Sequence, residues 1–189
     1  MTSTRRERIL EAAIEVFSEH GFERATNALI ARQAGISPGL IYWYFDSKEA
    51  LFEEAARSKA LWAMGSFRSV LVGGPEEALY AVARAYLQYF QEEENARLAR
   101  MFLSEIGRFP RVDQVFGEAL RGFIEGIAGY LKEWMARGRF REVDPLVAAQ
   151  MFEGSLFSFV MRYRIMRIEH SPMDVDQGVL VKSCGNSLP

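Results

Sequence analysis

The feature that most constrains this chain is a pair of short predicted helices joined by a tight turn within residues 26–48. The first helix is predicted over residues 27–34. Gly35 follows it, where helices commonly end in a left-handed residue that glycine adopts at little cost. Ser37 is placed to cap the second helix, and Pro38 suits its first position. Two helices meeting across a glycine-containing turn are typical of a helix-turn-helix, whose second helix enters the major groove of DNA.

The same turn also matches a catalytic motif. Residues 35–39 read Gly-Ile-Ser-Pro-Gly, which fits the Gly-x-Ser-x-Gly nucleophile elbow of serine hydrolases. That motif needs a strand before the serine, whereas residues 29–34 are good helix formers. The two histidines, His20 and His170, stand beside a predicted helix end and a predicted turn, so a catalytic base is hard to find. We therefore predict that Ser37 is a helix cap that can also touch a phosphate, and that the chain is not an enzyme.

Composition limits how such a module can bind nucleic acid. The 189 residues are 49% hydrophobic and 13% aromatic, which is ample for a core in one large domain or in a small module fused to a larger one. The net charge is −2, and residues 1–48 contain six basic and six acidic side chains. A broadly basic nucleic-acid coat is therefore excluded, and any attraction to DNA has to come from local placement of charge.

Cysteine usage and the distribution of apolar residues indicate the cellular compartment. Cys184 is the only cysteine, which excludes a disulfide framework within the chain and favours a reducing compartment. The first residues contain arginines but no apolar signal segment, and no run approaches the roughly 20 apolar residues needed to span a bilayer. We expect a cytoplasmic protein that has no membrane contact, no cofactor and no metal.

The remainder of the chain is predicted to be helical, because no stretch alternates at period two for long enough to make a strand. The first helix is predicted over about residues 5–20, between a Thr4/Glu7 capping box and Gly21. A second capping-box pattern at Asp46 and Glu49 predicts a helix that continues to about residue 71. Further helices are predicted over about residues 76–93, 96–107, 112–137, 144–167 and 175–182.

The predicted fold class is therefore all-α. An N-terminal three-helix helix-turn-helix domain, residues 1–48, is fused through the fourth helix to a larger helical domain, residues 49–189. There is no flexible linker between them. A shared rigid helix should couple the two parts mechanically.

A set of positions within residues 5–52 stands in a fixed order and spacing: Ile9, Ala12, Phe17, Gly21, Phe22, Thr26, Ile30, Ala31, residues 34–37, Gly39, Tyr42, Phe45, Lys48, Glu49, Leu51 and Phe52. In that order they resemble the DNA-binding domain of the TetR/AcrR family of bacterial regulators. The resemblance implies a homodimer on a near-palindromic operator, which usually represses transcription. It also implies a helical ligand-binding and dimerisation domain over residues 49–189, in which the last two helices form the dimer interface.

Carried over residue by residue, the resemblance places these side chains at DNA: Thr26, Ser37, Pro38, Gly39, Tyr42, Trp43, Tyr44 and Lys48. Tyr42 can donate its hydroxyl to a phosphate oxygen, and Lys48 supplies charge at a helix N-terminus. Leu40 and Trp43 could touch thymine methyl groups or sugars. Leu40 also departs from the polar or small residue expected there, which leaves few side chains for bidentate base contacts. We expect Ile41 and Phe45 to be buried.

Aromatic and apolar side chains of the second domain are candidates to line an effector cavity, although core packing is the alternative for each. The candidates are Trp62, Phe67, Tyr86, Phe90, Phe102, Glu105, Phe109, Phe123, Ile127 and Phe152. Three glycines, Gly122, Gly126 and Gly129, share one helix face and favour a closely packed neighbouring helix over room for a ligand.

The identity of the effector is left open between a lipophilic drug-like cation and a fatty or aromatic acyl-CoA, with a slight lean to the acyl-CoA. Glu105 could anchor a cation. Five arginines could hold the phosphates of an acyl-CoA, but a solvated face or salt bridges across the dimer are the favoured interpretation: Arg108, Arg111, Arg162, Arg164 and Arg167.

The resulting hypothesis is a repressor released by a small lipophilic effector. Two alternatives stay open at this point. One is a transcriptional activator of the same fold. The other is a helical scaffold with a vestigial helix-turn-helix, supported only by the neutral charge of residues 1–48.

Overall fold

A computed structural model describes residues 4–168, and all regular structure in that range is helical. Within the described residues there are eight α-helices, and a π-helical turn, Met161–Ile165, follows the last of them. The α-helices are α1 (Arg5–Arg24), α2 (Asn27–Ala34), α3 (Pro38–Ile41), α4 (Lys48–Ser69), α5 (Pro75–Gln91), α6 (Glu93–Ser104), α7 (Pro110–Ala136) and α8 (Pro145–Val160). The predicted all-α class is confirmed. The predicted helix over residues 175–182 lies outside the described residues.

The described residues form two compact units. The first contains residues up to Leu61 together with Arg97–Gly117, and the second contains Trp62–Ala96 and the described residues from Glu118 onward. Helices α4, α6 and α7 each contribute residues to both units. The predicted functional division at residue 48 stays a prediction.

Local signals set most helix ends. The Thr4/Glu7 capping box is present, with the Glu7 backbone N–H donating to Thr4 Oγ1 over 3.2 Å. Gly21 has φ 72° and interrupts α1 where the sequence predicts the helix to end. The predicted capping box at Asp46 and Glu49 is wrong. Helix α4 begins at Lys48, and the Ala50 N–H donates to Ser47 Oγ over 3.0 Å, so the neighbouring serine provides the cap.

The core of the first unit is built around aromatic rings. Phe52 is fully buried, and its ring centroid lies 5.0 Å from those of Phe17 and Phe22 and 5.3 Å from those of Phe102 and Phe109. Edge-on and tilted ring pairs at such distances add to the free energy of burial. Helices α1, α4 and α6, and Phe109 just before α7, are thereby packed around one ring.

The core of the second unit is a separate cluster. Phe67 on α4, Tyr86 on α5 and Phe123 on α7 are buried, with the Phe67 and Tyr86 ring centroids 5.0 Å apart. Helix α8 adds Phe152 and Leu156 to the same cluster. Residues 4–168 include no helix both long and apolar enough to span a bilayer.

The end of α8 differs from the prediction. The sequence pattern predicts one helix to about residue 167, but regular α-helix ends at Val160 and continues as the π-helical turn. In this segment Arg164 donates from Nε to the Phe90 carbonyl over 2.8 Å and from a terminal nitrogen to the Gln91 carbonyl over 2.6 Å. These bonds satisfy carbonyls at the end of α5 that have no partner within the helix.

Candidate DNA interface and effector site

The turn between α2 and α3 has the geometry expected of a helix-turn-helix. Thr26 caps α2, because its hydroxyl accepts from the Leu29 N–H over 3.2 Å. Gly35 has φ 67° and ψ 40°, the left-handed conformation that closes the helix. Arg8 donates to the Ala34 carbonyl over 2.7 Å and fastens the same helix end to α1. The segment before Gly35 is helix, so the strand required by a nucleophile elbow is absent here.

Helix α3 is short, and the residues after it divide between core and solvent. Ile41 and Phe45 are buried at 1% and 4% exposure, as predicted. Tyr42 and Trp43 are exposed at 62% and 85%, and Tyr44 is half-buried against the core of the first unit. Two large exposed rings next to each other are available for contact with a partner.

The other predicted DNA-facing positions surround this pair in sequence. Thr26, Ser37, Pro38 and Gly39 are exposed, and Leu40 is half-buried. The prediction that the Ser37 side chain caps α3 is wrong: Ser37 has the extended backbone of an N-cap, but its hydroxyl makes no capping hydrogen bond. Its exposed hydroxyl can therefore bind an external acceptor. The DNA-binding role of all these residues stays a prediction.

Lys48 has a structural role that sequence reasoning missed. Its ammonium donates to the carbonyls of Phe22, Glu23 and Ala25 over 2.9, 3.5 and 3.1 Å, and it lies 4.2 Å from the centroid of the Phe22 ring. An ammonium has three N–H donors, and all three are directed at backbone carbonyls. Lys48 therefore fastens the end of α1 to the start of α4, and a phosphate contact would have to share or replace these bonds.

The ten predicted effector residues are divided between the two units. Phe102, Glu105 and Phe109 belong to the first unit, where both phenylalanines pack around Phe52 and Glu105 pairs with Arg108 over 3.3 Å. The other seven belong to the second unit. Phe90 is half-buried against the buried cluster of this unit, and Trp62 is 61% exposed. The other five belong to that cluster: Phe67, Tyr86, Phe123, Ile127 and Phe152. Their role in binding stays a prediction.

The glycine face of α7 borders open space instead of a closely packed helix. A Cβ at Gly122 or Gly129 would meet no atom of the structure within 4 Å, and at Gly126 it would meet the flexible Arg68 side chain. Gly126 and Gly129 line a groove of about 620 Å³ together with Tyr130 and other residues of α4 and α7. Within the described residues, the favoured interpretation of close helix packing is therefore wrong. None of the ten predicted effector residues lines this groove.

Most of the arginines considered for phosphate binding have protein partners. In the first unit Arg108 pairs with Glu23 and Glu105, and Arg111 lies 3.4 Å from Glu53. In the second unit Arg164 and Arg167 both pair with Glu93, and Arg162 donates to Ser158 over 3.4 Å. These charges are largely neutralised within each unit.

Glu153 is the functional candidate that the sequence analysis did not single out. It is 8% exposed on α8, within a helix whose neighbouring side chains are apolar, and burial raises the pKa of its carboxyl above the ordinary value of 4.5. Its carboxylate also contributes to raising the pKa of Tyr86, behind the larger effect of burial. The signal was present in the sequence, because Glu153 is the one charged residue between Pro145 and Val160.

Comparisons with known proteins agree with this architecture. Residues 9–55 match the bacterial regulatory proteins of the tetR family, and residues 77–184 match the C-terminal domain of AefR-like transcriptional repressors. The second match alone spans more than half of the chain. This chain belongs to the TetR family. Such proteins are transcriptional regulators with a helix-turn-helix domain and a C-terminal ligand-binding domain, and they are not enzymes.

Three individual proteins illustrate the similarity. The TetR-family chain is 26% identical over 155 residues to the fatty acid metabolism regulator protein of Bacillus subtilis. The alignment covers 78% of this chain and 77% of the relative. It superposes on a TetR-family regulator of Mesorhizobium loti with a TM-score of 0.82 at 24% identity, covering 97% and 92% of the two chains. It superposes on FadR of Bacillus subtilis, solved with stearoyl-CoA, with a TM-score of 0.72 at 23% identity, covering 95% and 93%. These structural likenesses establish the fold.

Removing the Lys48 ammonium is expected to destabilise the TetR-type DNA-binding unit. Lys48→Met keeps the aliphatic stem but leaves three carbonyls without their charged donor, and we expect the free energy of unfolding to fall by about 1–3 kcal/mol. Urea unfolding followed by circular dichroism measures the change. Lys132→Met removes an exposed lysine from α7 and is the matched control. An equal effect of the two substitutions would contradict the structural role of Lys48.

Glu153→Gln is expected to stabilise the protein, and only where the carboxyl is ionised. A raised pKa means that the folded state holds its proton more tightly than the unfolded state, so stability falls as pH rises from near 4.5 through the folded pKa. Glutamine removes that loss. We expect a gain of about 1–3 kcal/mol at about pH 7 and almost none at about pH 4. Thermal unfolding at both pH values tests this, with exposed Glu142→Gln as control. A gain that does not depend on pH would contradict it.

Proposed function

We propose that this TetR-family protein is a transcriptional repressor that binds a near-palindromic operator as a homodimer and is released by a small lipophilic effector, either fatty-acid-like or acyl-CoA-like, or drug-like. The observation that carries the proposal is the exposed pair Tyr42 and Trp43 at the end of α3, held between the buried Ile41 and Phe45. The similarity of residues 77–184 to AefR-like repressors supports repression. Its site of action is the cytoplasm, where an operator is accessible.

The proposed DNA contacts follow from this placement. Tyr42 donates its hydroxyl to a phosphate oxygen, and Trp43 packs against sugar or thymine methyl groups. The exposed Thr26 and Ser37 hydroxyls bind the phosphate backbone of the DNA, and Gly39 allows a close approach of the chain to DNA. Two recognition helices of a dimer read half-sites roughly 34 Å apart.

The proposed homodimer uses α8. Val147 and Met151 are exposed at 51% and 71%, and Gly154 and Ser158 continue the same face at helical spacing. An apolar stripe with small residues on a solvent-facing helix allows two copies to approach closely. Such a contiguous patch on a soluble protein marks an interaction surface.

Met151→Glu is expected to convert the dimer into a monomer. A carboxylate at the centre of the stripe would be buried without a partner in the dimer, which should weaken association by at least about 100-fold, or about 2.7 kcal/mol. Native mass spectrometry measures the oligomeric state, and the same variant should lose most of its operator affinity. Gln88→Glu adds the same charge at an exposed position of α5 and should stay dimeric. A Met151→Glu protein that remains dimeric would exclude this interface.

The mechanism of release requires the effector to bind one conformation more tightly than another, since equal affinity would shift nothing. Helix α4 carries the chain without interruption from the helix-turn-helix into the residues that follow Leu61. The effector, bound by residues within 49–189, favours a conformation whose recognition helices have the wrong spacing. The complex of FadR with stearoyl-CoA supports an effector with a long acyl chain.

The decisive experiment is a selection of operator sequences from random DNA, followed by fluorescence anisotropy with the selected site. A palindromic consensus bound by the dimer supports the proposal. A failure to enrich any sequence at moderate salt overturns it in favour of a scaffold. A reporter gene with the operator placed over its promoter separates the two regulatory signs: expression rises in the absence of a repressor and falls in the absence of an activator.

A further inference from the structure

The second unit contains a buried carboxyl group, that of Glu153, which has no partner among the residues that the structure describes. Glu153 is 8% exposed, and Phe152 and Leu156 on the same helix belong to the buried apolar cluster. Within residues 4–168, no side chain or backbone group forms a hydrogen bond or ion pair with Glu153. Burial of an uncompensated carboxylate destabilises a fold by several kcal/mol, so its presence calls for a compensating partner.

The carboxylate is not sealed inside the protein. Among the described residues, Asn27 Oδ1 is a side-chain polar atom that is fully buried and has no hydrogen-bond partner. The oxygens of Glu153 are not among such atoms, so this side chain, 8% exposed overall, keeps some contact with solvent. A group that is mostly withdrawn from water, and that still faces accessible space, is suited to bind a ligand.

Tyr86 provides a second polar group close to Glu153. It lies on α5, which packs against α8, and it is 3% exposed. Burial and the Glu153 charge both raise the pKa of Tyr86, so its hydroxyl stays protonated. Within the described residues this hydroxyl has no hydrogen-bond partner either. Within residues 4–168, two groups without a hydrogen-bond partner, the Glu153 carboxyl and the Tyr86 hydroxyl, are therefore carried by two helices that pack together.

The surroundings of this pair are aromatic. The Tyr86 ring centroid lies 5.0 Å from that of Phe67, 5.2 Å from that of Phe90 and 6.2 Å from that of Phe123. Aromatic faces attract cations, and an apolar wall suits an alkyl or aryl body. Surroundings of this kind favour a ligand with a lipophilic body and a hydrogen-bond-donating head.

We infer that Glu153 and Tyr86 bind the polar head of the effector, and that this head is a protonated amine or another strong hydrogen-bond donor attached to a lipophilic body. The inference rests on the proposed function and narrows its effector class. A carboxylate or a phosphate at this position would meet the Glu153 charge with repulsion. Arg164 and Arg167, which could hold phosphates in this unit, are already engaged by the end of α5 and by Glu93.

A series of probes with one body and different heads tests the inference: decylamine, decan-1-ol, sodium decanoate and, for the phosphate-bearing class, palmitoyl-CoA. Isothermal titration calorimetry with the full-length protein at neutral pH gives each affinity. We expect decylamine to bind about tenfold or more tightly than decanoate. Decan-1-ol should fall between them, because it donates one hydrogen bond without a charge.

The variants Glu153→Gln and Tyr86→Phe separate the two groups. Glu153→Gln should weaken decylamine binding by about tenfold and change decan-1-ol binding by less than about threefold. Tyr86→Phe should weaken both by about threefold. Glu142→Gln is the matched control for the loss of a negative charge and should leave all affinities unchanged. Since Glu153→Gln is expected to raise stability, a loss of binding is not caused by unfolding, and circular dichroism verifies this.

Three results would overturn the inference. They are tighter binding of decanoate or palmitoyl-CoA than of decylamine, an unchanged decylamine affinity in Glu153→Gln, and no saturable binding of any decyl probe up to about 1 mM. The proposed function is tested separately by operator binding without a probe. If an operator is bound and palmitoyl-CoA releases it while decylamine does not, the regulatory function stands and this assignment fails. If decylamine binds through Glu153 and no operator is found, the assignment of the site stands and the regulatory function fails.

Discussion

Changing Tyr42 and Trp43 together to alanine is expected to weaken operator binding by about 100-fold. The two side chains are exposed at 62% and 85%, so they contribute little to the core, and their removal takes away a phosphate hydrogen bond and an apolar contact. Together these contacts account for about 2.7 kcal/mol, which corresponds to 100-fold in affinity. Fluorescence anisotropy with the selected operator measures the loss.

Stability and salt dependence are the controls for this variant. The free energy of unfolding should change by less than about 0.5 kcal/mol, as for surface substitutions elsewhere. Because neither side chain is charged, the slope of affinity against salt concentration should match that of the unmodified protein. Tyr80→Ala removes an exposed aromatic side chain from α5 and should leave operator binding intact. A Tyr42/Trp43 variant that binds the operator normally would remove the basis of the proposed DNA interface.

Phe52→Ala is expected to lower the free energy of unfolding by about 3–5 kcal/mol, which is a large part of the stability of an ordinary domain. Phe52 is fully buried, and four other phenylalanine rings lie within 5.3 Å of its centroid. Its loss leaves a cavity whose walls belong to α1, α4, α6 and the residue before α7, and such walls cannot easily move together to fill it. Urea unfolding followed by circular dichroism gives the change, and operator binding should be lost with it.

A graded pair of substitutions distinguishes cavity formation from a general effect of losing a phenylalanine. Phe52→Leu keeps most of the volume and should cost less than half as much as Phe52→Ala. Phe157→Ala removes a ring that is 44% exposed on α8 and should cost about 1 kcal/mol or less in the monomer. A Phe52→Ala protein with a loss below 1 kcal/mol would show that the aromatic cluster does not determine the stability of this unit.

Helix boundaries show how far local signals can be used. The Thr4/Glu7 box, the Thr26 cap and the left-handed Gly35 all appear as the sequence predicts, because each depends on residues within one turn of the chain. The start of α4 does not, because Asp46 and Ser47 are adjacent capping residues and the sequence does not rank them. The π-helical turn after Val160 was also unpredictable from periodicity. There, Arg164 contacts the end of α5, more than 70 positions away in the chain.

The candidate sites divide in the same way. Burial of Ile41 and Phe45 and exposure of Tyr42 and Trp43 follow from helical spacing and were predictable. The engagement of Lys48 by three carbonyls was not, since those carbonyls come from the end of α1. Nor could aromatic content separate Phe102 and Phe109, which pack around Phe52, from the residues that pack around Tyr86.

By itself, the amino-acid sequence determined the all-α class, the helix-turn-helix and the TetR family, because these depend on helix periodicity, capping residues and the spacing of a few residues along one segment. Only the tertiary structure decided which polar groups are already satisfied and which are not. Lys48, Glu105 and Arg164 have protein partners, whereas the buried carboxyl of Glu153 has none among residues 4–168. The physical reason is that hydrogen-bond partners and loss of contact with water come from helices that are distant in sequence. The residues next to a side chain in the sequence do not determine either of them.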